Sequence, residues 1–148
     1  MIQTIVKSLL LVIGCLAGSA TLAAQTSPVG LWKTIDDKTG EAKSHVEIYE
    51  KSGVFYGKVV KLLRKDAANR VCDLCSGSRK DQPIMGMIIL ENLKPYKDYW
   101  RKGNIIDPES GNEYGCTIWF ESGKPNELQV KGIHWTGLYR TQTWYRVQ

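Results

Sequence analysis

The sequence has little of what catalytic and nucleic-acid-binding families need. Its only histidines are His45 and His134, and neither falls in a spacing from which a Ser-His-Asp triad can be assembled. No second ligand pair at finger-like spacing accompanies either one, so a metal site has no frame. Cations never run longer than two, as in Arg79-Lys80 and Arg101-Lys102, so the continuous basic stripe that a phosphate backbone requires is missing and no nucleic-acid partner is expected. After Ala24 no apolar run approaches the roughly 20 residues of a membrane-crossing helix. Sustained helical periodicity, internal repeats and low-complexity segments are lacking too. The composition is neither collagen-like nor that of a disordered chain.

What is present divides into two unlike parts. Residues 1–24 hold one charge, Lys7, followed by an apolar stretch from Ser8 to Gly18 and the small residues Ala20, Thr21, Ala23 and Ala24. This is the pattern of a cleaved secretory signal, and it predicts a periplasmic or secreted protein. Val12-Ile13-Gly14-Cys15 has the order of a lipoprotein box, which leaves acylation of Cys15 as the alternative. The remaining residues, 25–148, suit one domain with one core. Without Lys7 they carry 19 basic and 15 acidic residues, a mild net charge of +4.

Strand and turn signals alternate along this domain. Strands are expected over Gly30–Ile35, Lys43–Glu50, Val54–Leu63, Ile84–Leu90, Trp100–Ile106, Tyr114–Phe120, Leu128–Ile133 and Arg140–Val147. Eight sequential antiparallel strands can lose their exposed edges by closing into an up-and-down β-barrel; a two-sheet sandwich is the alternative. Parity puts Tyr114, Cys116, Ile118 and Phe120 on one face, which makes Cys116 a buried thiol whose role is packing.

Cys72-Asp73-Leu74-Cys75 lies in the long connection from Arg64 to Gln82. In an oxidising compartment a local disulfide is expected. A zinc site and a thiol-redox centre are the alternatives, although no helical pattern follows the pair as a thioredoxin-like centre demands. Asp107, Glu109 and Glu113 could be taken as a calcium loop or a carboxylate pair, but the intervening Pro, Ser, Gly and Asn are turn residues, and the spacing lacks the EF-hand order.

Gly30-Leu31-Trp32 at the first strand and an arginine in the last resemble the lipocalin pattern. A longer set resembles the secreted bacterial family known as domain of unknown function 2147, which is lipocalin-like. The set comprises Gly30 to Asp37, Cys72 to Cys75, Lys80 to Met87, Ile106 to Gly111 and Arg140 to Trp144. The sequence departs from it at Gly132-Ile133-His134-Trp135-Thr136-Gly137-Leu138-Tyr139-Arg140. The resemblance implies a calycin-type barrel in which Arg140 stacks over Trp32 to seal the base. It brings no known reaction.

From these readings we expect a non-catalytic protein without cofactor or metal that binds a small apolar or amphipathic molecule inside the barrel. Trp32, Tyr114, Ile118, Phe120, Arg140, Gln142 and Trp144 are the candidate lining residues. An envelope interaction module with a side-chain-filled barrel and a stapled docking loop is the second reading. A redox protein using Cys72 and Cys75 is the third.

Overall fold

The computed structural model describes residues 26–148; the expected signal segment and Cys15 lie outside them. Eight antiparallel strands close into one barrel in sequence order: β1 (Gly30–Ile35), β2 (Ala42–Lys51), β3 (Val54–Leu62), β4 (Ile88–Tyr96), β5 (Tyr99–Asp107), β6 (Asn112–Phe120), β7 (Glu127–Ile133) and β8 (Tyr139–Arg146). Closure is made where β1 meets β8, with Trp32 opposite Arg146 and Lys33 opposite Tyr145. The Val147 N–H then donates to the Leu31 carbonyl at 2.8 Å. No edge strand remains exposed.

The period-2 pattern sorts the side chains. Ser44, Val46 and Ile48 of β2 point inward and are buried, whereas His45 and Glu47 point out. On the outer wall Lys33, His45 and Lys61 stand side by side across three strands. Partial burial, followed by the charges of Lys61 and Lys33, holds the His45 imidazole below its ordinary value. A charged outside and an apolar inside are the reverse of a lipid-facing barrel. Among the described residues no helix is long and apolar enough to cross a membrane.

One strand differs from expectation. The fourth begins at Ile88 and extends to Tyr96, whereas Ile84 to Met87 belong to the preceding connection. Ile84 and Met87 are buried from that loop, so the apolar run reads continuously across a loop-strand boundary. Its far end is masked by Asn92, at φ 58°, and by Pro95, which pairs with Trp100 across the β4–β5 hairpin.

The base of the barrel is sealed by Trp32, which is fully buried. Its Nε1–H donates to the Pro28 carbonyl at 2.8 Å. The guanidinium over its ring belongs to Arg146, with Cζ 4.2 Å from the ring centroid, and not to Arg140 as the resemblance implied. Register gives the reason. Trp32 lies opposite Arg146, and Arg140 is six residues up β8, roughly 20 Å away at the other end of the barrel. Arg146 also donates to the carbonyls of Val29 (3.2 Å) and Ser27 (3.0 Å), which straps the N-terminal segment across the base. Gly30 is required here: its φ is +142°, and a Cβ would lie 2.7 Å from Arg146 Nη1.

Two substitutions separate the arginines. Arg146→Ala removes a partly desolvated cation-π contact and is expected to cost about 1–2 kcal/mol in urea unfolding. Arg140→Ala, which loses an exposed ion pair, is expected to cost about 0.5 kcal/mol or less. Equal losses would show that Arg146 is not the base clamp.

Candidate functional site

Above the sealed base the interior opens into a cavity of about 770 Å³. Its walls are apolar, with Val59 from β3, Ile89 from β4, Ile105 and Ile106 from β5, Val130 from β7 and Trp144 from β8. Its rim is ionic and polar. Asp36 and Asp37 follow β1, Lys43 opens β2, Arg64 and Arg70 follow β3, and Arg140 and Gln142 lie on β8. Arg140, Gln142 and Trp144 form one inward column on β8, opposite Gly132, Val130 and Leu128 in turn. Polarity therefore falls with depth along a single strand.

Of the residues expected to line the interior, Tyr114, Arg140, Gln142 and Trp144 border the cavity. Trp32, Ile118 and Phe120 lie in the packed base, where Phe120 sits 5.9 Å from the Trp32 ring and 6.1 Å from Trp100. Cavity residues without a local signal include Thr34 and Ser44, buried hydroxyls that bond each other at 2.8 Å. Ile84, which the connection delivers to the wall, also has none.

Residues 63–87, between β3 and β4, form a flap beside the mouth. Cys72 and Cys75, both buried, are joined as a disulfide. The pair opens no α-helix; the short 3₁₀ turn Gly77–Arg79 follows it. The Cys72 N–H donates to Gln82 (2.8 Å) and its carbonyl accepts from Asp81 (3.0 Å), closing the flap on itself. The stapled loop rests on the β5–β6 turn at Gly111. That residue has φ +72°, and a Cβ there would collide with the Leu74 carbonyl.

Ion pairs hold the flap down. Glu109 of the β5–β6 turn receives Lys43 (2.8 Å), Arg64 (2.8 Å) and Arg70 (2.9 Å). Arg64 also pairs with Asp36, and Arg79 bridges Glu91 and Glu113, each at 2.7 Å. Burial pushes the Glu109 carboxyl up. The hydrogen bond from Lys43 and the charges of Lys43, Arg64 and Arg70 outweigh this and leave it below its ordinary value. Asp36 is also held low, first by the backbone N–H groups of Lys38 and Thr39. Asp107 is a turn-former: its carboxylate accepts from the Glu109 N–H (3.0 Å) and the Ser110 hydroxyl (3.1 Å). Asp107, Glu109 and Glu113 thus have separate partners, as a turn requires.

At the opposite side of the mouth Arg140 and Gln142 both reach Asp37. His134 bonds Thr136 at 2.8 Å in the β7–β8 hairpin, whose tip leaves Trp135 89% exposed. Cys116 is buried on the inward face of β6, and burial pushes its thiol up to about 12. It is a packing residue with no accessible thiolate.

Glu109 yields a pH prediction. A carboxyl whose folded value is depressed stabilises the folded form above its ordinary value of 4.5 and loses that contribution as pH falls through the lower folded value. Amide protection factors of flap residues 64–82 are expected to drop in that acid range while strand protection persists. Glu109→Gln should give the loosened flap already at pH 7. Equal protection in the variant and the parent at pH 7 would remove Glu109 as the tether.

Cys116 yields another. Iodoacetamide at pH 8 is expected to leave Cys116 unlabelled in the native protein, and to label it once the protein is unfolded without reductant. Rapid labelling of Cys116 in the native form would contradict a sealed thiol.

Comparison with solved structures places this architecture. Protein HP1028 from the human pathogen Helicobacter pylori, described as belonging to the lipocalin family, superposes with a TM-score of 0.70. It is 20% identical, and the match covers 83% of this chain and 84% of that one. That likeness shows a lipocalin-like fold. Among curated proteins none gives a significant match. The family model described as "Uncharacterized protein conserved in bacteria (DUF2147)" matches residues 30–146, which span every strand of the barrel, and the chain belongs to that family.

Proposed function

We propose that the protein binds one small amphipathic molecule in its barrel and performs no chemistry on it, after export to the periplasm or beyond the cell. The observation that carries this reading is the cavity. Its volume of about 770 Å³ suits one modest ligand, and its walls are apolar below an ionic rim. Affinity would come from burying the ligand's apolar body, at roughly 25 cal/mol per Å² removed from water. The rim cations Arg64, Arg70 and Arg140 are already matched with carboxylates, so they favour orienting a polar head over activating a nucleophile. Export rests on the leader-like residues 1–24 and on a cysteine pair at disulfide distance.

The interaction-module reading draws support from one feature, the exposed Trp135 and Leu138 at the β7–β8 tip. Native mass spectrometry of protein purified from its own envelope tests the binding reading. A bound mass of small-molecule size is expected, together with a change in tryptophan fluorescence on titration with long-chain fatty acids or their esters. Apo protein alone, with fluorescence indifferent to fatty acids, esters and retinoids, would reject it and leave the interaction module.

A further inference from the structure

We propose that the β7–β8 tip docks the mouth of the barrel on an anionic lipid bilayer, with Trp135 and Leu138 seated among the headgroups and Lys131 on the lipid phosphates. The proposal goes beyond the binding reading and does not depend on it.

Exposed apolar surface is concentrated at one end of the barrel. Among the described residues the most exposed large apolar and aromatic side chains are Trp135 (89%), Leu138 (74%), Tyr139 (67%) and Leu74 (63%), and no other exceeds 42%. Three lie on the β7–β8 hairpin and the fourth on the flap, so all four are at the mouth. Scattered exposed apolar residues need no explanation, but a cluster beside an open cavity does.

The tip is built to hold these side chains out. The loop between Ile133 and Tyr139 is closed by the His134 N–H on the Leu138 carbonyl (2.7 Å) and by the Gly137 N–H on the His134 carbonyl (2.9 Å), with Gly137 at φ +88°. The His134 ring packs 5.4 Å from Trp135 and 6.1 Å from Tyr114 on the barrel wall. Backbone groups already bonded within a turn cost less to bring into a headgroup layer, and a propped indole has little freedom left to lose there.

Charge selects the bilayer as the partner. No acid follows Glu127 in the sequence, and Lys131 and Arg140 flank the tip on its two strands. Arg140 is held by Asp37, whereas Lys131 has no carboxylate partner among the described residues. Its Nζ lies 3.8 Å from the ring centroid of Tyr139, two residues nearer the tip than Thr141, the cross-strand neighbour of Lys131. Tryptophan and tyrosine beside a free cation, with no acid between them, are the residues of a membrane interface. A stable protein interface needs roughly 800 Å² from each partner, more than so short a tip supplies.

The test sediments protein purified from its own envelope with vesicles of phosphatidylcholine, alone or with an equal part of phosphatidylglycerol. Binding to the mixed vesicles is expected to be about 5-fold tighter, the effect of one cation at an anionic surface. Brominated acyl chains should quench the emission of Trp135, since Trp32, Trp100 and Trp144 are buried and Trp119 is bonded to Glu121 at the base end. Trp135→Ser should weaken binding about 10-fold, the effect of burying one large side chain. Lys131→Gln should abolish the preference for phosphatidylglycerol. The quenching uses the unsubstituted protein, so it stands even if a variant folds poorly. Absence of vesicle binding overturns the inference and leaves the tip to a protein partner. Binding without quenching, equal affinity for both vesicles, or unchanged affinity of folded Trp135→Ser also overturns it. Ligand titrations of the cavity are made without vesicles, so either reading can fail alone.

Discussion

The structure depends on the contact that closes the barrel, Arg146 stacked on Trp32. The two residues lie at the ends of the domain and face each other where the last strand meets the first. Each of the eight strands therefore has a hydrogen-bonded neighbour on both sides, with the closing ladder confined to Trp32–Arg146 and Lys33–Tyr145. The same arginine ties Ser27 and Val29 across the base. One side chain therefore joins strand closure to the plug, and the Gly-x-Trp sequence follows from it. Glycine leaves room for the guanidinium, and tryptophan is the flat surface under it.

Sealing one end determines what the other can be. Below the level of Ile118 and Leu128 the interior is filled by interlocked rings and aliphatic chains, among them Trp32, Phe120, Phe55 and Trp100. An eight-stranded barrel is just wide enough for side chains to fill or for one small ligand to enter, and this one is filled at its base and hollow above it. The mouth stays structured because the flap is stapled within itself and held to the β5–β6 turn through Glu109 and Gly111. Single surface ion pairs contribute little, about 1 kcal/mol at most, but three cations sharing one carboxylate form a network fixed from three separate segments.

Much of the fold was legible because strands report themselves locally. Alternation along Val46 to Ile48, Tyr114 to Phe120 and Leu128 to Val130 identifies faces as well as elements. The barrel's closure is not local, since the Trp32 and Arg146 pairing spans almost the whole domain. The lipocalin-like resemblance supplied the right residue types for the base but the wrong arginine, because a late arginine is a type and only register assigns it a depth. The fourth strand was misread for the opposite reason: Ile84 and Met87 are buried through tertiary contacts from a loop, so hydrophobicity extended beyond the strand. The site was half legible. Tyr114 and the column of Arg140, Gln142 and Trp144 follow from parity, whereas Ile84, Thr34 and the acid partners Asp36, Asp37 and Glu109 come from distant segments. Nothing in a linear pattern says where packing stops and a cavity begins.

That boundary bears on how an amphipathic ligand would lie under the proposed binding reading. Along β8 the inward column passes from Arg140 through Gln142 to Trp144 within a few residues, so the environment changes from ionic to apolar over roughly 13 Å. A ligand's ionised head inserted first would leave water and end beside Leu128 and Val130, which offer it no countercharge. Inserted tail first, the same molecule buries its chain against Val59, Ile89 and Ile106 and keeps its head among Asp36, Arg64 and Arg140, where solvent and paired charges accommodate it. The rim needs no spare cation for this, because its mixed signs tolerate zwitterionic and neutral heads as well as anionic ones. The polarity gradient thus sets ligand direction more firmly than ligand charge.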